Sequence, residues 1–388
     1  MNSNNQPKAR QIEMLDVKFG DCFILSEDGQ SMLVDCGTRN SKSYLATAVS
    51  RIEADNKIKK ALLTHFHEDH NKGFDILESN AVKEFDEIIL PNIYDKSGNT
   101  IKLNLARLIV CSKKSKAWKA ALAHITLPIR MDKLLAINGH FIFVSDGGSF
   151  ALSNTTYNVL SPTQQDVQNF SGMPMLKVID DAIVNDSILR ESSNEILRIF
   201  RYWLEQVETI SGVAVVRKNQ EFTIQAEDRL KKVLDIFIER GGEIMNSFNG
   251  EQKEEVKKWA EKLSRKWNKF SIVFKSSENE ILMTGDMEEI TWRKYIKPKY
   301  FSGASGNVKI LKVPHHGTKS YFSSNFPVSD DTKFLISNGT YRKWSISDEY
   351  NNHYSGEFYC TNKNCTYYLN NHSCCKNLKH IGNSTLQY

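Results

Sequence analysis

Hydrophobic and polar positions alternate with period 2 along the first part of the chain and then change period. "IEMLDVKFGDCFILSEDGQSMLVDCG", from Ile12 to Gly37, holds three β-rich segments separated by Gly-Asp and Asp-Gly turns, which predicts three short strands. "SKSYLATAVSRIEADNK" then has a helical pattern. "ALLTH" is a short apolar run of strand length, "GFDILES" reads as a helix, and "EIILPNIY" reads as another strand. Strands that alternate with helices argue for an α/β architecture whose sheets are covered by helices. From Ile101 to about Leu127 the pattern is helical and rich in lysine, and "HFIFVSD" and "TYNVLSP" return to strands.

The character changes between about Met175 and Trp267. "SSNEILRIFRYWLEQVETI" and "AEDRLKKVLDIFIER" are amphipathic helices; in the second, Leu230, Val233, Leu234, Phe237 and Ile238 follow helical spacing. "EEVKKWAEKLSRKW" predicts a third, strongly charged helix. Strands resume with "FSIVFKS" and "EILMTGD". The chain therefore divides into an N-terminal half (1–174), a helical insertion (175–267) and a C-terminal half with a Cys-rich tail (268–388). An insertion with its own apolar stripes is expected to pack as a lid or arm, removable without unfolding the rest.

Composition changes this picture little. The 388 residues are 40% hydrophobic and 25% charged, which suits one large globular domain or two. No apolar run approaches a membrane span, and "MNSNNQPKARQ" lacks the apolar core of a signal peptide, so a soluble, cytoplasmic protein is expected. A net charge of +5 permits a phosphate-bearing substrate without demanding one. Cys22, Cys36 and Cys111 are singles in apolar contexts, expected to be buried and reduced. Cys360, Cys365, Cys374 and Cys375 cluster around His372, but their C-x4-C and adjacent spacings match no common zinc ribbon, and free thiols are the expectation.

"ALLTHFHEDHNKGF", from Ala61, carries the chemistry. His65, His67, Asp69 and His70 sit within six positions directly after an apolar run. A helical zinc-protease motif needs H-E-x-x-H, and only Asp69 separates Glu68 from His70, so that pairing is absent. A strand ending at His65, a loop through His67 and a helix starting near Asp69 fit better. In extended chain His65 and His67 point to the same side, and donors at a helix start can aim back toward them. Four donors then converge on one volume suited to zinc, manganese or iron. The alternative is a solvated polar turn. Two further apolar strands weaken it, because "EILMTGD" ends in Gly285-Asp286 and "VKILKVPHHGT" ends in His315-His316-Gly317.

With these segments in order, the chain resembles the metallo-β-lactamase superfamily. The motifs "LLTHFHEDH", "LMTGD" and "LKVPHHGT" carry the resemblance. It is closer to the branch typified by the hydrolase-like domain of the DNA-uptake protein ComEC, on "LDVKFGD", "VDCG", "VLSP", "NKFSIVFKSSENEILMTGD" and "FLISNG". The resemblance implies a four-layer αββα sandwich with a metal centre at one edge. It implies that His65 and His67 ligate a first metal, Asp69 and His70 a second, and that Asp286 bridges the two. Asp35 would orient the loop from behind. Of the two adjacent histidines, His315 would complete the second metal and His316 would serve the reaction as a hydrogen-bond or proton donor. The chain departs from the pattern in two places. "LSPTQQD" stands where many members carry another histidine ligand, so the first metal would bind weakly or with extra water. "TYRKWS" follows "ISNG", which leaves His353 as a rival to His315 for the last ligand; His140, at a strand start, is expected to be structural.

Zinc, as one or two ions, is the cofactor this implies, with manganese or iron as alternatives. The expected activity is metal-dependent hydrolysis, foremost a phosphodiesterase or nuclease using a metal-held hydroxide that Asp69 and Asp286 orient. The resemblance also reaches bacterial multi-gene systems, defence against phage among them. No G-x-S-x-G and no P-loop competes. Lysine-rich stretches, Lys113, Lys114, Lys116 and Lys119 in one and Lys253, Lys257, Lys258, Lys262, Arg265 and Lys266 in another, read first as solvated helix faces and second as contacts to nucleic acid. The competing function is a degenerate, non-catalytic sandwich that holds a partner protein through the insertion. A free-standing β-lactamase is disfavoured by the lack of an export signal.

Overall fold

The computed structural model of the protein describes residues 10–94, 97–210, 213–218, 220–264, 266–302, 307–339, 346–361 and 378–388. Among these the strands are, in chain order, β1 (Arg10–Met14), β2 (Cys22–Glu27), β3 (Gln30–Cys36), β4 (Ile58–Leu62), β5 (Phe85–Pro91), β6 (Leu135–Val144), β7 (Ser149–Leu152) and β8 (Thr155–Ser161). They continue with β9 (Glu208–Ile210), β10 (Val213–Arg217), β11 (Val273–Ser276), β12 (Ile281–Met283), β13 (Val308–Lys312), β14 (Val328–Ile336), β15 (Glu357–Cys360), β16 (Leu378–Ile381) and β17 (Ser384–Gln387). One sheet has the order β17-β1-β2-β3-β4-β5-β6-β10-β9, the other β16-β15-β14-β13-β12-β11-β8-β7.

Period-2 alternation decides what each face buries. In β2, Phe23 and Leu25 turn toward the second sheet while Cys22 and Ile24 turn away from it; Met32 and Val34 oppose Leu33 in the same way in β3. From the second sheet, Ile281, Met283, Ile310 and Leu335 meet them, whereas Leu282, Leu311, Phe334 and Ile336 face outward. The outer face of the first sheet is covered by α1 (Ala46–Ala54), α2 (Glu68–Asn80), α3 (Asn99–Val110) and α4 (Lys116–Met131). Trp292, Ile296, Tyr350 and Tyr354 cover the outer face of the second. This is the expected αββα order.

The block 175–267 departs from the expectation of a helical insertion. After α5 (Gln164–Ser171) it contains α6 (Lys177–Asn185), α7 (Ser187–Glu205), α8 (Gln220–Ser247) and α9 (Gly250–Ser264), but also β9 and β10. β10 extends the first sheet by pairing antiparallel with β6, Ala214 opposite Phe143. The β-branched Val215 and Val216 suit that open edge better than a helix. The apolar stripes of α7 and α8 are not a separate core either. Ile196, Phe200, Trp203, Leu230, Leu234 and Phe237 share one apolar cluster with Leu105, Ile125 and Phe141. Trp203 meets Phe143 with ring centroids 5.4 Å apart. Replacing 175–267 with a Gly/Ser linker is therefore expected to abolish cooperative unfolding, because the outer face of β6 and α3 would meet water. A sharp urea transition in that deletion would show that the block folds apart from the sandwich.

No helix among the described residues is long and apolar enough to cross a membrane. Cys22 and Cys36 are buried free thiols, Cys111 is half-buried and free, and Cys360 is buried. Cys365, His372, Cys374 and Cys375 lie outside the described residues.

Candidate metal centre

The parallel strands β3, β4 and β5 of the first sheet and β12, β13 and β14 of the second bring their carboxyl ends to one edge. After β4 the chain runs through Thr64 and His65 to His67, which precedes α2 in extended conformation (φ −82°, ψ 150°). Phe66, between the two histidines, is buried in the core, so both imidazoles turn to the opposite side. Asp69 and His70 occupy the first turn of α2 and are buried. Gly37 makes this possible, since a Cβ there would lie 2.2 Å from the His70 amide nitrogen. With that space free, the Gly37 amide donates to the Asp21 carbonyl (3.0 Å) and the Asp21 amide to the Asp69 carbonyl (2.8 Å). Asp21 and Asp35 are thereby drawn under His70.

Two donor sets share Asp286. On one side, His65 Nε2 and His67 Nδ1 lie 2.9 Å apart, and Asp286 Oδ2 is 3.6 Å from His65 Nε2 and 3.5 Å from His315 Nε2. On the other, Asp286 Oδ1 is 3.3 Å from His70 Nε2 and 4.0 Å from His316 Nε2, and His316 Nε2 is 3.4 Å from Asp69 Oδ2. Ligand-type atoms of Asp69, His70, Asp286 and His316, and separately of His65, His67 and Asp286, fall within 4.8 Å of one another. The geometry thus places His316 beside Asp69 and His70, the position expected from the sequence for His315. His315 instead approaches the oxygen of Asp286 that faces His65.

Hydrogen bonds behind the rings aim their lone pairs. His70 Nδ1 donates to Asp35 Oδ2 (2.8 Å) and His316 Nδ1 to the Ser337 carbonyl (2.8 Å), which leaves both Nε2 atoms as acceptors. Thr64 donates its hydroxyl to Asp35 (2.7 Å) and can accept from His65 Nδ1 (3.2 Å). Thr318 donates to the His315 carbonyl (3.1 Å) and accepts from His315 Nδ1 (2.7 Å). Such outer partners set ring orientation and basicity in metal sites. His70 Nε2, His316 Nε2 and both carboxylate oxygens of Asp286 are buried without a hydrogen-bond partner among the described residues. Orphaned buried polar atoms are costly, and three of these, His70 Nε2, His316 Nε2 and Asp286 Oδ1, face one another as a cation would require.

The charge balance agrees. Four buried carboxylates, Asp21, Asp35, Asp69 and Asp286, face two permanent cations held inside, Arg39 on Asp69 and Lys312 on Asp21. Burial pushes the His65 ring well below its usual value, His67 down to about 4 and His315 down to about 3, so all three are neutral and able to ligate at pH 7. Burial also opposes charge on His70 and His316, but Asp286, Asp35 and Asp21 around the first, and Asp21 and Asp286 around the second, raise both. Burial would raise Asp286, yet His315, His70 and His316 hold it well below the carboxylate range. In effect, the carboxylates around His70 and His316 favour positive charge where a divalent ion fits.

His315 and His316 adopt left-handed backbone (φ 45° and 58°), as does Asp35 (φ 56°). Non-glycine residues held there cost of order 1–3 kcal/mol each, and such strain clusters at functional sites. Every residue expected from the sequence, His65, His67, Asp69, His70, Asp286, His315, His316 and Asp35, is at this edge. His353 is not; it is exposed, with Nε2 2.6 Å from the Ser324 carbonyl. His140 is half-exposed on β6, 4.0 Å from Glu87. The segment "TYRKWS" and Arg265 of the second basic stretch lie outside the described residues. Sequence reasoning missed Asp21, Arg39 and Lys312, and also Tyr321, which stacks on His315 (centroids 4.0 Å, 9°). Of the lysines noted, Lys116 lines a small crevice with Arg39, His67, Glu68 and Asp69, and Lys119 pairs with Glu68 at 2.8 Å.

Residues 15–81 match the family model of the metallo-beta-lactamase superfamily. No curated protein matches the sequence. Among solved structures, the chain is similar to the metallo-beta-lactamase fold protein YhfI from Bacillus subtilis, at 8% identity and TM-score 0.37, over 98% of this chain and 100% of that one. It is also similar to BJP-1, a subclass B3 metallo-beta-lactamase of Bradyrhizobium japonicum (18% identity, TM-score 0.22, 38% of this chain and 46% of that one). A diphosphatase from the PhnP family matches at 13% identity and TM-score 0.23, over 38% of this chain and 56% of that one.

Proposed function

We propose that this chain is a metal-dependent hydrolase of the metallo-β-lactamase superfamily, in its ComEC-like branch, and that it cleaves phosphodiester bonds, those of nucleic acids foremost. The observation that carries the reading is the convergence of buried histidine nitrogens on both oxygens of Asp286, with His70 Nε2, His316 Nε2 and the two Asp286 oxygens lacking a hydrogen-bond partner among the described residues. In this assignment His65 Nε2, His67 Nδ1, His315 Nε2 and Asp286 Oδ2 hold one ion, and Asp69, His70 Nε2, His316 Nε2 and Asp286 Oδ1 the other. An imidazole-rich set of this kind suits zinc, with manganese or iron as alternatives. Divalent ions bound there would lower the pKa of water and neutralise a developing oxyanion. Asp35 and the Ser337 carbonyl keep the protons of His70 and His316 on Nδ1, so that each Nε2 stays a ligand. Arg39 and Lys116, on the crevice beside His67 and Asp69, supply positive charge where a phosphate would enter.

The test is metal analysis of protein expressed with ample zinc, manganese or iron, together with hydrolysis of bis(p-nitrophenyl) phosphate, single-stranded DNA, RNA and duplex DNA. About two equivalents of metal are expected for a paired site, and turnover should stop with a chelator. Since the carboxylates around His70 and His316 favour the protonated rings, metal affinity is expected to rise with pH and fall in acid. His316→Ala should empty the second set, and His315→Ala should weaken the first. Full metal content with turnover lost in His316→Ala would return that residue to proton transfer. Metal-free protein from every preparation would leave the non-catalytic, partner-binding reading in its place.

A further inference from the structure

The chain just beyond Asp286 carries a feature that the metal centre does not use. Residues 292–300 read "WRKYIKPKY", four cations among aromatic residues with no acid. The stretch Trp292–Ile296 is wound as a π-helix, burying Trp292 and Ile296 and turning Lys294 and Tyr295 outward. Tyr295 is 51% exposed. Trp292 anchors the stretch by donating Nε1–H to Asn325 (2.8 Å). Lys294, Tyr295 and Lys299 line one open groove of about 690 Å³ together with Gln164 and Gln165, which follow β8. Its one carboxylate, Asp146, is engaged by Lys299 (2.6 Å) and the Tyr300 hydroxyl. Arg293 pairs with Glu289 (3.0 Å), whereas Lys294 and Lys297 have no ion pair among the described residues.

Topology places this groove. β8 runs antiparallel to β11 and β11 antiparallel to β12, so β8 and β12 point the same way. Their carboxyl ends, with Gln164 and Gln165 after one and Asp286 after the other, lie at the same edge of the second sheet. A basic, aromatic groove therefore opens on the edge that carries the metal donors.

We propose that this groove binds single-stranded nucleic acid, with Tyr295 stacking on an unpaired base and Lys294, Lys297 and Lys299 meeting the flanking phosphates. The proposal rests on the phosphodiesterase reading and says how its substrate is held. An exposed aromatic ring among cations suits a single strand, because only unpaired bases offer a free face. Protein interfaces, by contrast, are depleted of lysine at their cores. The side-chain amides of Gln164 and Gln165 can pair with base edges without choosing DNA or RNA.

The experiment measures binding of short fluorescent single-stranded DNA and RNA of one sequence, and the matching duplex, to the full chain with chelator present to stop turnover. Tyr295→Ala is expected to weaken single-strand binding about tenfold. Lys294→Glu with Lys297→Glu should weaken it further and flatten the salt dependence, by about 0.7 in log–log slope for each phosphate no longer neutralised. Hydrolysis of bis(p-nitrophenyl) phosphate should be unchanged in these variants, and thermal midpoints should match the parent. Folded variants that bind as the parent does would overturn the proposal. So would equal affinity for duplex and single strand with no effect of Tyr295→Ala, which leaves a diffuse charge attraction only. If the parent hydrolyses no phosphodiester yet the variants lose oligonucleotide binding, the groove stands and the catalytic reading falls. The opposite pattern, turnover of oligonucleotides without dependence on the groove, removes the groove alone.

Discussion

Asp286→Ala is expected to strip metal from both donor sets and to lower phosphodiester turnover on the order of 10³-fold or more, the loss of several kcal/mol of charge stabilisation. Its Oδ1 faces His70 and His316 and its Oδ2 faces His65 and His315, so one side chain serves both sets. Gly285, at φ 51°, turns the chain after β12 so that this carboxylate projects from the strand end. Two other buried carboxylates at this edge, Asp69 and Asp21, are paired with Arg39 and Lys312. Asp286→Asn keeps the shape and removes the charge, and a similar loss is expected from it with the fold retained. Metal content, initial rates and the thermal midpoint measured on the same preparations separate the effects. Full metal occupancy in Asp286→Ala would mean that the two sets are not joined through this residue.

The donors that were legible in the sequence are those at strand ends. Asp286, His315 and His65 each follow an apolar run whose length marks a buried strand, and the run dictates where the polar tip must emerge. The roles of His315 and His316 were not legible, because both are left-handed and spacing along an extended or helical chain does not say which ring points where. Lys312 was hidden for another reason. In "VKILKV" a lysine reads as the solvent side of a strand, yet here it is 1% exposed and paired with an acid from a distant turn. Asp21 in its Gly-Asp turn looks like any turn residue. β9 and β10 left a signal in the valines of "VAVVR", but two amphipathic helices around it dominate the pattern. Whether their apolar stripes close on themselves or on a sheet is a tertiary matter that periodicity alone leaves open.

Lys312→Met is expected to lower the stability of the metal-free chain by roughly 3–5 kcal/mol, the cost of leaving a buried charge uncompensated. Lys312 Nζ lies 2.5 Å from Asp21 Oδ2 and donates to the Gly285 carbonyl (2.8 Å), with Asp286 Oδ1 at 4.0 Å. Without it, Asp21 retains, among the described residues, His316 Nδ1 at 3.2 Å and His70 Nδ1 at 3.6 Å. Burial pushes the Asp21 carboxyl up, and Lys312, then His316 and His70, outweigh that and hold it below its usual value. A carboxylate held low in the fold stabilises at neutral pH, and that contribution is lost as pH falls through its folded value. The gap between parent and Lys312→Met should therefore be widest near pH 7 and narrow in acid. Removing the charge as well, in Lys312→Met with Asp21→Asn, should recover part of the loss, and a double-mutant cycle by urea unfolding gives the coupling. Because Asp21 sits against Nδ1 of both His70 and His316, the single variant should also weaken metal in the second set by about 10–100-fold. A single variant within about 1 kcal/mol of the parent, the range of exposed ion pairs, would mean that His316 and His70 alone neutralise Asp21. Lys312 would then have no part in placing the ligands.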